Sequence, residues 1–222
     1  MTTTTLPREG DHPYVFAYDI TDNDRRKAVL NCLKRWRVDG QYSVHETWLR
    51  PFQVRELSVE LIGLIDRKQD RLLVCRLDQR RSTPIYQMQL SVTKQPLVGK
   101  PRPVPVPAQL SQGDYLICYD IREKKRLQRI QRLMAKRTLY LQRSVYLYRG
   151  KGNALLTLLE AVGTEMQDDD DVRIYNLIHV RDMWFLSHEK PVVPEIHSQK
   201  TELIAKRGIK TLFQRFKNLF YR

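Results

Sequence analysis

The sequence lacks a run of eighteen apolar residues, so no segment has the length and hydrophobicity that a membrane-spanning helix needs. The first thirteen residues have neither a positive start nor an apolar core, so we expect a short disordered leader rather than a secretion signal. Cysteine is scarce, and Cys32, Cys75 and Cys118 are far apart without CxxC spacing, which argues against a zinc site. Each lies in an apolar pattern that is typical of buried thiols, and we expect a reduced, cytoplasmic protein.

Acidic residues are outnumbered in this chain. Its 222 residues include 39 Lys and Arg against 25 Asp and Glu, which gives a formal net charge of +14. Such an excess attracts polyanions, and nucleic acid is the commonest polyanionic partner of a basic protein. The alternative is a well-solvated surface that happens to be basic.

The chain contains an internal repeat. The run "YVFAYDI" from Tyr14 recurs as "YLICYDI" from Tyr115, and an offset of 101 aligns thirty-six positions without a gap. Eight of these positions are identical, where average composition would give roughly two. The apolar residues of two amphipathic helices match in phase at the same offset, and "DRLLVCRL" from Asp70 matches "DVRIYNL" from Asp171 after a one-residue shift. We interpret this as a duplication.

Each copy has the order strand, helix, one or two short strands, helix, strand. This βαββαβ order predicts an α+β protein with two ferredoxin-like domains, each an antiparallel sheet with both helices on one face. We assign the copies to residues 14–92 and 114–187, which include strand-like pieces at 84–92 and 182–187. A proline-rich linker at 93–113 separates them. We expect the copies to form a pseudo-twofold dimer within one polypeptide.

Two aspartates, Asp19 and Asp120, lie at the carboxyl ends of the equivalent first strands. If a pseudo-twofold axis brings these carboxylates together, a divalent cation or a shared proton would relieve their repulsion. Mg²⁺ suits a site of one or two carboxylates that also accepts water or phosphate oxygens. The simpler alternative is that each aspartate binds backbone N–H groups in the turn before a helix.

The segments "YVFAYDITDNDRR", "QYSVHE" and "DRLLVCRL", and their second occurrence as "YLICYDI", "QRSVYLY" and "DDVRIYNL", resemble the CRISPR-associated protein two family. The resemblance covers residues 14–92 and 114–187 and implies a fused version of the family's homodimer. It also implies a role in acquiring CRISPR spacers, as the scaffold that holds duplex prespacer DNA between dimers of the CRISPR-associated integrase. Metal-dependent nuclease activity at the first-strand aspartate, here Asp19 and Asp120, is a second implication.

The scaffold hypothesis predicts a basic surface that contacts phosphate. Its candidate DNA-binding residues lie at the start of the first helix of each copy and beyond the last strand of copy one: Arg25, Arg26, Lys124, Lys125, Arg126, Arg76, Arg80 and Arg81. The N–H groups of a helix start favour phosphate as well. The alternative is a solvated helix face.

Other functional patterns are weaker. The run "DDDD" at 168–171 is tempting as a metal site, but a solvated acidic turn is favoured, and the five histidines form no ligand pair. An RNA-binding module of the RRM kind would need two exposed aromatic strands, and only "SVYLYRG" from Ser144 comes close.

The segment 201–222 is predicted to be a basic amphipathic helix. Its apolar stripe consists of Ile209, Leu212, Phe213, Phe216, Leu219 and Phe220. We expect this stripe to bind the integrase, with docking onto the chain's own second copy or onto an anionic membrane as alternatives.

Overall fold

The computed structural model describes residues 8–78, 86–88, 110–179 and 182–187, and for 86–88 it describes the backbone alone. The first half of the chain forms strands β1 (His12–Asp19), β2 (Arg37–Gly40), β3 (Val44–Leu49) and β4 (Arg71–Arg76), with helices α1 (Asn23–Lys34) and α2 (Pro51–Leu64). A short strand follows, β5 (Tyr86–Met88).

The second half of the chain repeats this order. Its elements are β6 (Gly113–Asp120), α3 (Lys124–Ala135), β7 (Leu139–Gln142), β8 (Val145–Gly150), α4 (Gly152–Gly163) and β9 (Asp171–Leu177), with β10 (Met183–Phe185) after them. Helices α1 and α3 match at the offset of 101 at both ends, because Asn23 corresponds to Lys124 and Lys34 to Ala135.

Two antiparallel sheets contain the strand orders β4-β1-β3-β2 and β9-β6-β8-β7, which is the ferredoxin-like arrangement. The first strand of each copy is central and almost wholly buried, as its continuous apolar run predicts. In the first unit, Phe16 of β1, Leu33 of α1 and Leu61 of α2 belong to one apolar cluster, so both helices cover the same face of the sheet. The predicted fold class is confirmed.

The Gln-x-Ser-Val segments of the two copies, residues 41–44 and 142–145, lie at the turn of a hairpin. Residues 41–43 connect β2 to β3, and the backbone N–H of Tyr18 donates to the carbonyl of Ser43. The same bond joins Tyr119 to Ser144, and Ser144 has a φ of 63°, in the left-handed region that a tight turn requires. The serine of each segment therefore lies in the turn, and the valine after it begins the next strand.

The short strands that follow each copy are exchanged. Strand β10 pairs with β4, so it completes the sheet of the first unit, and β5 pairs with β9 in the sheet of the second unit. The linear ranges 14–92 and 114–187 instead group each short strand with the copy that precedes it. Alternating or apolar residues predict a strand but carry no information on which sheet edge accepts it.

The last strands of the two copies match at an offset of 100. Tyr14 lies opposite Arg76, whereas its counterpart Tyr115 lies opposite Asn176. Helix α4 is two residues shorter than α2 and the connection after it is one residue longer, so the second copy is one residue shorter before its last strand. Asp70 consequently corresponds to Asp170, rather than to Asp171 as the sequence match suggests.

We predict that Gly152→Ala lowers the free energy of unfolding by about 1–3 kcal/mol, because a Cβ at this first position of α4 would lie 1.7 Å from the carbonyl oxygen of Leu110. The matched control is Gly63→Ala in α2, where a Cβ meets open space. That variant is expected to gain about 0.5–1 kcal/mol. Urea denaturation measures both, and equal stabilities for the two variants would contradict the packing described here.

Candidate functional site

The two first-strand aspartates occupy equivalent places, each as the last residue of a central strand. Asp19 lies opposite Arg71 of β4, and Asp120 lies opposite Asp171 of β9. The Asp120 side chain is 32% exposed, and one of its oxygens is 3.9 Å from a guanidinium nitrogen of Arg122. Both copies therefore offer a partly exposed carboxylate at the same end of the sheet.

Within the described residues, no group of three or more His, Cys, Asp or Glu side chains could hold a metal ion together. A single strand-end carboxylate is one ligand, and the guanidinium of Arg122 near Asp120 competes with a cation for that oxygen. These residues fit a metal ion only if it takes its other ligands from water or from phosphate oxygens, as Mg²⁺ commonly does.

An ion pair with a buried carboxylate joins the first helix of each unit to the turn before its last strand, and we call it the Arg–Asp clasp. In the first unit, Arg25 Nε donates to Asp70 at 2.6 Å and a second nitrogen donates at 3.2 Å. The Asp70 carboxylate is fully buried and also accepts the backbone N–H of Asp66 at 2.9 Å. These bonds fix the start of α1 against the start of β4.

The second unit repeats the clasp with more partners. Arg126 Nε donates to Asp170 at 2.8 Å, and the backbone N–H groups of Arg122 and Gln167 donate to the same carboxylate. A further guanidinium nitrogen donates to Asp169 at 3.0 Å. Only 8% of the Arg126 side chain is exposed, and none of Asp170.

Opposing effects act on the pKa of Asp170. Burial is the largest of them and would raise the pKa, but the Arg126 guanidinium and the two backbone donors together hold it below its usual value. The acidic run "DDDD" is therefore not simply a solvated turn, because Asp170 is a buried structural anion and Asp169 pairs with the same arginine.

The clasp changes the assignment of the candidate DNA-binding residues. Arg25 and Arg126 already bind buried carboxylates, so we remove them from the set that we propose to contact phosphate. The helix starts are partly occupied too, because the Asp22 and Glu123 side chains each accept the second and third backbone N–H groups of α1 and α3. A carboxylate at each cap takes the position that a phosphate would need.

The other candidates differ in their surroundings. Lys124 and Lys125 are exposed on α3, Arg26 is half-buried and donates to Asn23, and a guanidinium nitrogen of Arg76 lies 3.1 Å from the His12 ring. Arg80 and Arg81 and the predicted partner-binding stripe of the 201–222 segment lie outside the described residues. Two exposed cations on α3, Arg129 and Arg132, were missed because the prediction considered only the start of the helix, although their spacing along it was visible.

The aromatic residues of "SVYLYRG" do not form a base-stacking surface. Tyr146 and Tyr148 are buried in the apolar cluster beneath α3 and α4, and Tyr146 stacks on Tyr119 with the ring centres 5.7 Å apart. Neither ring is available to a nucleotide base. The hypothesis of an RRM-like RNA-binding module is therefore not supported by these strands.

His45 corresponds to Tyr146 and makes the equivalent stacking contact with Tyr18, at a ring-centre distance of 5.6 Å. It is fully buried, and neither ring nitrogen has a hydrogen-bond partner among the described residues. Burial, with smaller contributions from Arg37 and Lys34, lowers the pKa of His45 to about 3. This histidine is a neutral core residue, in line with a structural role.

The protein is therefore an α+β protein of two repeated ferredoxin-like units, each with a strand-end aspartate and an Arg–Asp clasp. The family model described as CRISPR associated protein Cas2 matches residues 12–83 and 114–183. The chain belongs to this family, and the family model matches each half of it separately.

Curated relatives carry the family's name. The chain is 41% identical over 81 residues to "CRISPR-associated endoribonuclease Cas2 3" of Chloroflexus aurantiacus, a match that spans 36% of this chain and 87% of that protein. It is 37% identical over 73 residues to "CRISPR-associated endoribonuclease Cas2 2" of Nitrosomonas europaea, spanning 33% of this chain and 65% of the relative. A solved hypothetical protein from Thermus thermophilus is 28% identical, covering 38% of this chain and 94% of its own, with a TM-score of 0.32.

None of the helices within the described ranges is long and apolar enough to cross a membrane.

We predict that His45 makes the protein sensitive to mild acid. The unfolded chain binds a proton at His45 below a pH of about 6.5, whereas the buried ring stays neutral down to a pH of about 3, so stability falls as the pH drops through this window. Between pH 7.5 and pH 5 the wild type should lose about 2 kcal/mol more than the His45→Phe variant. Urea denaturation at the two pH values measures the difference, and equal losses would show that His45 does not resist protonation.

Proposed function

We propose that this protein is a DNA-holding scaffold of CRISPR spacer acquisition, which binds duplex prespacer DNA between dimers of the CRISPR-associated integrase. The observation that carries the proposal is the presence of two units of the Cas2 family in one chain. A chain of this kind supplies as one molecule the pair of domains that the scaffold role requires. We place this role in the cytoplasm.

The charge of the protein supports the DNA-holding part of this proposal. The chain has a formal net charge of +14, and exposed cations such as Lys124, Lys125 and Arg132 have no ion-pair partner among the described residues. Contacts of this kind position a duplex through its phosphates without reading its sequence. The integrase would be bound by the stripe of the 201–222 segment, whose side chains lie outside the described residues.

A metal-dependent ribonuclease is the second candidate, and the names of the curated relatives as endoribonucleases favour it. In this case Asp19 and Asp120 would each hold Mg²⁺ with water and phosphate oxygens as the other ligands, and the metal would supply charge neutralisation at the phosphate. The protein residues would position the strand, and Arg122 beside Asp120 would contact the phosphate backbone.

The double variant Asp19→Ala/Asp120→Ala separates the two functions. If the chain acts as a scaffold, spacer integration with the purified integrase should stay within about twofold of the wild-type rate, because neither carboxylate contacts the duplex phosphates. Any metal-dependent cleavage of RNA or DNA should fall by about a hundredfold or more in the same variant. Integration and cleavage are measured on the same protein preparations.

A thermal unfolding curve serves as the control, since it shows that the double variant is folded. Loss of integration in a stably folded double variant would refute the scaffold proposal and assign the carboxylates a catalytic part in acquisition.

A further inference from the structure

One exposed side of α3 carries a row of cations, which we call the α3 row. Lys125, Arg129, Arg132 and Lys136 follow one another at spacings of four, three and four residues, which places them on one face of the helix. Lys124 directly precedes Lys125, and we count it as the fifth cation of the row. All five are exposed, and α3 itself contains no acidic residue.

The first unit has no equivalent of the α3 row. The offset of 101 matches the five cations with Asn23, Asp24, Ala28, Asn31 and Arg35. Only Arg35 is basic, and its guanidinium donates to Glu60 of α2. Buried Val29 and Leu33 of α1 correspond to buried Ile130 and Met134 of α3, so the two helices share these core positions and differ in the charge of this face.

The neighbouring helices do not add to this difference. Helix α2 carries Arg55 with Glu56 and Glu60, and α4 carries Glu160 alone, so both helices have a net charge of −1 and the asymmetry lies in α1 and α3. In the second unit Arg129 pairs with Glu165, which offsets one charge of the row. Adjacent like charges destabilise a free surface, and a bound polyanion relieves their repulsion.

The dimensions of the row suit a phosphate backbone. Lys125 and Arg132 are seven residues apart, which corresponds to roughly 10 Å along the helix axis. Each strand of a duplex carries one charge per roughly 3.4 Å of its own axis, so the row can face about three phosphates of one strand. Side chains would make most of these contacts, because the Glu123 carboxylate already accepts the backbone N–H groups of Lys125 and Arg126.

We propose that the chain holds duplex DNA through the α3 row of its second unit, and that the helix face of the first unit does not contribute. This inference rests on the proposed scaffold function, because it assigns the DNA contact of that function to one of two otherwise similar units. The helix faces of the two units would then contribute unequally to the DNA contact.

The test compares two triple variants that each lose three exposed positive charges. Lys124→Gln/Lys125→Gln/Arg132→Gln removes part of the α3 row, and Lys27→Gln/Lys34→Gln/Arg55→Gln is the matched control on α1 and α2. The affinity of the full chain for a labelled DNA duplex is measured by fluorescence anisotropy between about 50 and 200 mM salt. For the α3 variant, the slope of log affinity against log salt should become shallower by about 2 to 3.

The control variant should change this slope by less than about one, although its net charge is the same. Equal changes in the two variants would show that the cations act only through net charge, which overturns this inference and leaves the scaffold function intact. A larger change of the slope in the control variant would assign the DNA contact to the first unit. That result would also overturn this inference and leave the scaffold function intact. Wild-type protein that shows no salt-dependent duplex binding would refute the scaffold function together with this inference.

Discussion

The Arg–Asp clasp is the interaction on which the arrangement of each unit depends. Asp70 and Asp170 are fully buried carboxylates, so each requires a cation and several donors to remain charged inside the protein. The partner arginine comes from the first helix, and this requirement therefore ties α1 or α3 to the turn before the last strand. The same helix follows directly after the strand that ends in Asp19 or Asp120, so the clasp also fixes the position of the candidate functional carboxylate.

The two units have similar side chains at buried positions, where packing limits the choice, and different side chains at exposed positions. Tyr18 and Tyr119 stack on an aromatic ring in both, although the ring is His45 in one unit and Tyr146 in the other. A planar ring of similar size satisfies the packing in either case, and the cost in the first unit is a histidine that cannot take up a proton in mild acid. Exposed positions carry no such constraint, so α3 carries cations at positions where α1 has Asn23, Asp24, Ala28 and Asn31.

Much of the fold could be predicted because it depends on local pattern. The repeat, the order of the elements and the central position of the first strand all follow from apolar periodicity. The partners of charged side chains could not be predicted in the same way, since Arg25 and Asp70 are 45 residues apart and an arginine at a helix start looks the same whether it faces solvent or a buried carboxylate. The exchange of β5 and β10 was missed for a similar reason, because strand pattern does not specify the sheet. At the candidate site, the sequence identified the strand-end aspartates and not their neighbours.

The central claim is that each unit is stabilised by its own Arg–Asp clasp, Arg25–Asp70 in the first and Arg126–Asp170 in the second. A double-mutant cycle in each unit tests it most directly. The cycle combines Arg126→Met with Asp170→Asn, and its counterpart combines Arg25→Met with Asp70→Asn, with the free energy of unfolding measured by urea denaturation for every variant. Each Arg→Met change should cost about 3–5 kcal/mol, because it leaves a fully buried carboxylate without its cation. Each Asp→Asn change should cost less, because Arg25 is 29% exposed and Arg126 keeps its bonds to Asp169 and Gln167. The two changes together should cost less than their sum by at least about 1.5 kcal/mol in both cycles. Losses that add to within about 0.5 kcal/mol in either cycle would contradict the claim for that unit.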